Sequence, residues 1–148
     1  MTGKADFTEE EWELLREGPP TAGVVAASAS EGGSFRESWA IAKAYAEARK
    51  ERGESQLLDD LVADKPKTKR YASAEEAESQ GLERLSEAVA LLEQKAGPGD
   101  VAGYRHFTLD VAGRAAKAHK EKGETSTVSV AEREAIEKIA ASLNPASS

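Results

Sequence analysis

The chain contains no cysteine, only two histidines and only 5% aromatic residues. The absence of cysteine excludes disulfide bridges, thiolate zinc sites and a cysteine nucleophile, and it is typical of proteins in a reducing compartment. We therefore expect a cytoplasmic location. With two histidines and no Gly-x-Ser-x-Gly motif, a serine hydrolase triad has little support.

Long apolar runs are also missing. Residues 1–6 lack the hydrophobic segment of a secretion signal, and no run approaches the ~20 apolar residues that a membrane-spanning helix requires. The formal net charge is −7, and an acidic surface repels nucleic-acid phosphates. The sequence therefore predicts neither membrane insertion nor general nucleic-acid binding.

The sequence is rich in signals for the start of a helix. Four times a Ser or Thr stands three residues before a Glu, in the pairs Thr8/Glu11, Ser34/Glu37, Ser73/Glu76 and Ser129/Glu132. In such a capping box the hydroxyl and the carboxylate satisfy two backbone N–H groups that the helix leaves free. At 148 residues the chain matches one ordinary domain. These features predict an all-α fold, a single-domain bundle of six or seven helices.

Breaks and buried faces can be placed within this plan. The Gly-Pro-Pro sequence at 18–20 predicts that the first helix covers 9–17 and that a second, uncharged helix begins at Pro20 and lies at the bundle centre. The glycines and proline at 97–99 are expected to separate two long helices, with Asp100 capping the second. In the helix that follows Ser34, apolar residues recur at the helical period and predict a buried stripe. The stripe consists of Phe35, Trp39, Ala42 and Ala46, with Ile41, Tyr45 and Ala48 beside it, so the predicted buried face is wide.

One segment is strongly basic. Residues 65–72 carry four cations and no acid, namely Lys65, Lys67, Lys69 and Arg70. Because Pro66 opposes helix formation and the cations repel one another, we expect a flexible connector here, and a frayed C-terminus at 145–148. The four cations are candidate contacts for a nucleic acid or an acidic partner, with a solvated linker as the alternative.

His106 and Asp110 are the best candidates for metal ligation. They stand four residues apart on one predicted helix, so the imidazole and the carboxylate lie on the same face and can share an ion or a hydrogen bond. Neither a Glu-x-x-His nor a His-Glu-x-x-His pattern accompanies them. A surface His–Asp pair without metal is the alternative.

Three short stretches carry a resemblance to known proteins. Residues 24–35 (VVAASASEGGSF) and 128–136 (VSVAEREAI) resemble tellurite-resistance TerB-like helical domains. Residues 7–12 (FTEEEW), with the same tail, resemble small bacterial helical proteins without an assigned function. In TerB-like domains an Ala-Asp-Gly turn supplies acidic, metal-facing residues, and Ser30 and Glu31 stand in that region here. The resemblance implies an all-α fold, a bacterial source and Glu31 as a further candidate metal ligand.

These observations favour a non-enzymatic, cytoplasmic helical interaction module with an unknown protein partner, without catalytic residues or a cofactor. The alternatives are a TerB-like stress protein that responds to a metal or small ligand, and binding of nucleic acid or an acidic partner through residues 65–70. A homodimer stays open, because a helix rich in Ala and Leu can bury its apolar stripe within the chain or against a copy.

Overall fold

The computed structural model describes residues 3–28, 35–51, 55–63, 65–66, 71, 73–118 and 130–143. In these residues the chain forms a 3₁₀ turn and six α-helices, without a strand, so the prediction of an all-α bundle is confirmed. The turn is Lys4–Asp6, and the helices are α1 (Glu9–Ser28), α2 (Phe35–Lys50), α3 (Gln56–Ala63), α4 (Ala74–Lys95), α5 (Pro98–Ala118) and α6 (Val130–Ser142). No helix in the described ranges combines the length and the apolar content of a membrane span.

The predicted helix starts are visible as hydrogen bonds. The Thr8 hydroxyl accepts from the N–H of Glu11 at 3.1 Å, and the Glu11 carboxylate accepts from the N–H of Thr8 at 2.9 Å. At the start of α4, the Ser73 hydroxyl accepts from the N–H of Glu76 at 3.1 Å. The other two predicted boxes fall outside the described residues, although α2 and α6 begin directly after them.

The predicted break at residues 18–20 is wrong, because α1 continues through both prolines. Pro19 has no N–H, so the carbonyl of Leu15, four residues earlier, loses its helical donor. The Tyr104 hydroxyl on α5 replaces that donor and bonds to the Leu15 carbonyl oxygen at 2.8 Å. Gly18 makes the approach possible, since a Cβ there would lie 1.9 Å from the Tyr104 oxygen. The helix is thus completed by a donor 89 residues away in the sequence.

The second half of α1 is the centre of the bundle, as predicted. Every residue from Gly18 to Ala26 is buried, and α1 packs against α2, α4, α5 and α6. At Gly23 the side chain of Ile41 fills the space that a Cβ would occupy, at 2.8 Å. The largest fully buried side chains around α1 are Tyr45, Tyr104, Leu15, Ile41, Leu57, Leu61, Leu85, Leu92, Ile139, Leu143 and Val62.

Helix α2 buries only one side of the wide face that the sequence predicts. Trp39, Ala42 and Ala46 are exposed, and the Phe35 side chain lies outside those described. The residues that face the core are Ala40, Ile41, Ala44 and Tyr45. The prediction is therefore wrong for Trp39, Ala42 and Ala46 and right for Ile41 and Tyr45. The physical reason is that lysines share the Trp39 side of the helix, and burying an unpaired ammonium group costs far more than exposing a tryptophan.

Two further predictions concern helix ends and connections. Helix α5 begins at Pro98 rather than after Asp100, because the Gly97 carbonyl accepts from the N–H of Val101 at 3.1 Å and proline suits the first helical position. Of the predicted connector 65–72, only Lys65, Pro66 and Tyr71 are described, and 145–148 lie outside the described residues. Flexibility in these segments stays a prediction.

Candidate functional site

The side of α2 that points away from the core carries a tryptophan. Trp39 is 55% exposed, and it is the one large hydrophobic side chain exposed to this degree in the described part of the chain. At about 100° per residue, the exposed positions 39, 42, 43, 46 and 50 share one narrow arc of the helix. We call this arc the outer face of α2; its residues are Trp39, Ala42, Lys43, Ala46 and Lys50.

The outer face combines an aromatic ring, two small residues and two cations. The Lys43 ammonium lies over the Trp39 ring, with Nζ 5.0 Å from the ring centroid. Such a contact orients the indole, and Trp39 is still 55% exposed. The apolar period of the sequence places Trp39 on a buried face. The signal in the sequence for its exposure is the pair of lysines at 43 and 50 on the same arc.

A well-packed support lies behind the outer face. Tyr45, on the opposite side of α2, packs edge-on against Phe107 with ring centroids 5.2 Å apart. The Arg114 guanidinium on α5 binds Glu47 of α2. Arg49 donates to the Val62 carbonyl oxygen of α3. These contacts hold α2 against two neighbouring helices, with the outer face on the side away from both.

The other candidate site is a cleft between α2, α3 and α5, with a volume of about 400 Å³. His106 and Asp110 both line it, as expected for residues one turn apart on a helix. Its other charged lining residues are Glu47, Glu51, Asp59 and Arg114. Asp110 accepts a hydrogen bond from Arg114 Nε at 3.0 Å. The guanidinium thus stands between carboxylates of α2 and α5 and balances part of the acidic charge of the cleft.

The predicted metal set is only partly placed. His106 and Asp110 are exposed residues of the cleft, whereas Glu31 lies outside the described residues. Among the residues that the structure describes, no group of three or more His, Asp or Glu side chains has the arrangement to hold a metal ion. Metal ligation by His106, Asp110 and Glu31 therefore stays a prediction.

The basic connector is described at one cation only. Lys65 is exposed, and Lys67, Lys69 and Arg70 lie outside the described residues. Partner binding through these four cations also stays a prediction.

Comparison of the chain with protein-family models, with curated proteins and with solved structures gives no match. The resemblance to TerB-like domains is therefore neither supported nor opposed by relatives. The outer face and the cleft are the features of this chain that bear on its function.

Proposed function

We propose that this chain is a non-enzymatic interaction module of the cytoplasm, and that it binds a helix of a partner protein on the outer face of α2. The observation that carries the proposal is the exposure of Trp39 on a helix whose other side is bonded to α3 and α5. Tryptophan is enriched among the residues that dominate interface energies, and an exposed aromatic ring beside small residues suits a docking surface. The cytoplasmic location is supported by the absence of cysteine.

The size of the effect can be estimated from the exposed ring. Covering the exposed part of Trp39 removes on the order of 100 Å² of apolar surface from water, which contributes about 2–3 kcal/mol. Ala42 and Ala46 lie one turn apart beside it. Their small side chains allow a second helix to approach closely, with its own ridge of side chains in the groove that they form.

Photo-cross-linking tests the location of the surface. The residue p-benzoylphenylalanine replaces Lys50, which lies at the end of the outer face beyond the Ala42–Ala46 groove; the exposed controls replace Ala90 of α4 or Ala102 of α5. In extract of the native cells we expect discrete adducts from position 50 that the additional change Trp39→Ala weakens about tenfold to hundredfold. Adducts that form equally from positions 90 and 102, or that persist after Trp39→Ala, would contradict the proposal.

The second candidate function is a TerB-like response to a metal or small ligand, with a bacterial source. The observation that favours it is the position of His106 and Asp110 on one cleft with Glu47. Elemental analysis of the purified chain and thermal shift across divalent cations test it. Asp110→Asn, which lacks one candidate ligand, should remove any shift that the parent chain shows. A ligand that binds only the folded state adds about 2.7 kcal/mol at a hundredfold over its dissociation constant. No shift across the panel would contradict this candidate.

A further inference from the structure

The charges of the outer face restrict the chemistry of its partner. Lys43 and Lys50 lie on the same arc, seven residues and about 10 Å apart along the helix axis. Neither lysine is ion-paired with a described residue, and the arc itself contains no carboxylate. Glu47, which borders the arc one turn from Lys43, is bound by Arg114. Within the described part of the chain, neither ammonium group has a carboxylate partner, and Lys43 contacts the Trp39 ring, so each can pair with a carboxylate of a docked partner.

A second copy of the chain does not match this pattern at the same face. A symmetric pairing of two outer faces would bring four ammonium groups together, two from Lys43 and two from Lys50, with no carboxylate of either face between them. Like charges placed opposite each other at an interface are unfavourable. Charge complementarity requires a different, acidic surface.

A nucleic acid is also a poor match. The face offers two cations in a chain of net charge −7, whereas binding to a phosphate backbone depends on many cations that each neutralise a phosphate. The close approach that Ala42 and Ala46 allow suits the regular ridges of a helix rather than a sugar–phosphate chain.

We infer that the partner seated on the outer face of α2 is an acidic amphipathic helix, with small or apolar side chains against Trp39, Ala42 and Ala46 and with carboxylates two turns apart against Lys43 and Lys50. This inference rests on the proposed docking function and adds the chemistry of the partner. Recognition of this kind reads apolar anchors at helical spacing, and the flanking charges select the partner and speed its association.

A displayed library of helical peptides tests the inference on the full chain. Each peptide of about 20 residues has a fixed stripe of Ala and Leu, and the flanking positions vary among Glu, Gln and Lys. We expect selection to enrich peptides with Glu at flanking positions seven residues apart, the spacing of Lys43 and Lys50. Lys43→Glu/Lys50→Glu should weaken their binding about tenfold and shift the selection to Lys-bearing peptides.

Matched variants separate the inference from the docking function. Lys117→Glu/Arg133→Glu makes the same change in net charge at exposed cations outside the outer face, and it should leave peptide binding unchanged. Four results would each overturn the acidic-helix inference. Two concern the peptides: enrichment without a charge preference, or equal weakening by the two double variants. Two concern other occupants: binding of a single-stranded DNA of about 20 nucleotides that depends on Lys43 and Lys50, or self-association that Ala46→Glu blocks. If selected peptides bind Ala46→Glu as well as Ala90→Glu, or if no peptide is enriched, the docking function fails too.

Discussion

Tyr104 is a fully buried side chain with two structural tasks. Its ring belongs to the core, and its hydroxyl supplies the hydrogen bond that Pro19 cannot donate to Leu15. The sequence contains each part of this arrangement, but it does not show that Tyr104 and Leu15 meet. A prediction from local signals therefore ends the helix at Gly18, because the compensating donor comes from another helix.

Tyr104→Phe is expected to reduce the free energy of unfolding by about 1–3 kcal/mol, because the ring stays in place while the buried Leu15 carbonyl loses its partner. Urea denaturation followed by circular dichroism measures the change. An unchanged midpoint would show that the continuous α1 does not need this hydrogen bond.

Gly18→Ala should destabilise the chain, since its new Cβ would lie 1.9 Å from the Tyr104 hydroxyl oxygen and 3.0 Å from Cζ. Removal of the hydroxyl relieves the closer contact, so Gly18→Ala should cost less in the Tyr104→Phe background, by about 1 kcal/mol or more. A double-mutant cycle from urea midpoints measures this coupling. Strictly additive effects would place Tyr104 away from Gly18.

Helix α2 shows how two apolar faces compete within one element. The face of Trp39, Ala42 and Ala46 has the stronger visual pattern in the sequence, but Lys43 and Lys50 share it. The opposite face, which carries Ile41 and Tyr45, is the one that packs into the core. A prediction that used the charges as well as the apolar period would have identified both the side of α2 that faces the core and the exposed Trp39.

The register of α2 can be tested with one substitution at two positions. Ala46→Glu on the outer face should change the free energy of unfolding by no more than about 0.5 kcal/mol, as should Ala90→Glu on α4. Ala44→Glu would bury an unpaired carboxylate at a site that is 2% exposed. Because desolvation of a carboxylate is unfavourable, this variant should lower the free energy of unfolding by about 3 kcal/mol or more. Chemical denaturation of the three variants measures the difference, and a large loss for Ala46→Glu would reverse the assignment of the faces.

For the whole molecule, the sequence predicts the parts that depend on local signals. Helix α4 follows its predicted Ser73 cap, and α3 likewise begins after a serine, Ser55, whose hydroxyl accepts from the N–H of Leu58. The continuous α1 and the orientation of α2 depend on contacts between helices. His106 and Asp110 share the cleft because a helix places them one turn apart, whereas Arg114 between Asp110 and Glu47 is a tertiary feature.

The bundle should unfold in alkali because of its buried phenols. Burial raises the pKa of Tyr45 and of Tyr104, since it disfavours the charged phenolate. In the unfolded chain these groups ionise near pH 10, so their contribution to stability is complete below about pH 10 and is lost as the pH rises above it. Tyr104→Phe identifies the part of the tyrosinate absorbance that belongs to Tyr104. In the parent chain, this part should appear together with the loss of helical circular dichroism. Its appearance while the helices are intact would contradict the burial of Tyr104.

The central claim is that Trp39 stands on an exposed helix face while Trp12 is buried in the core. Labelling with 5-fluorotryptophan gives one ¹⁹F resonance for each ring, Trp39→Phe assigns them, and the shift between H₂O and D₂O measures their exposure. We predict a large solvent shift for Trp39, which is 55% exposed, and almost none for Trp12, which is 3% exposed. A Trp39 resonance as insensitive to solvent as that of Trp12, in the isolated chain, would contradict the account.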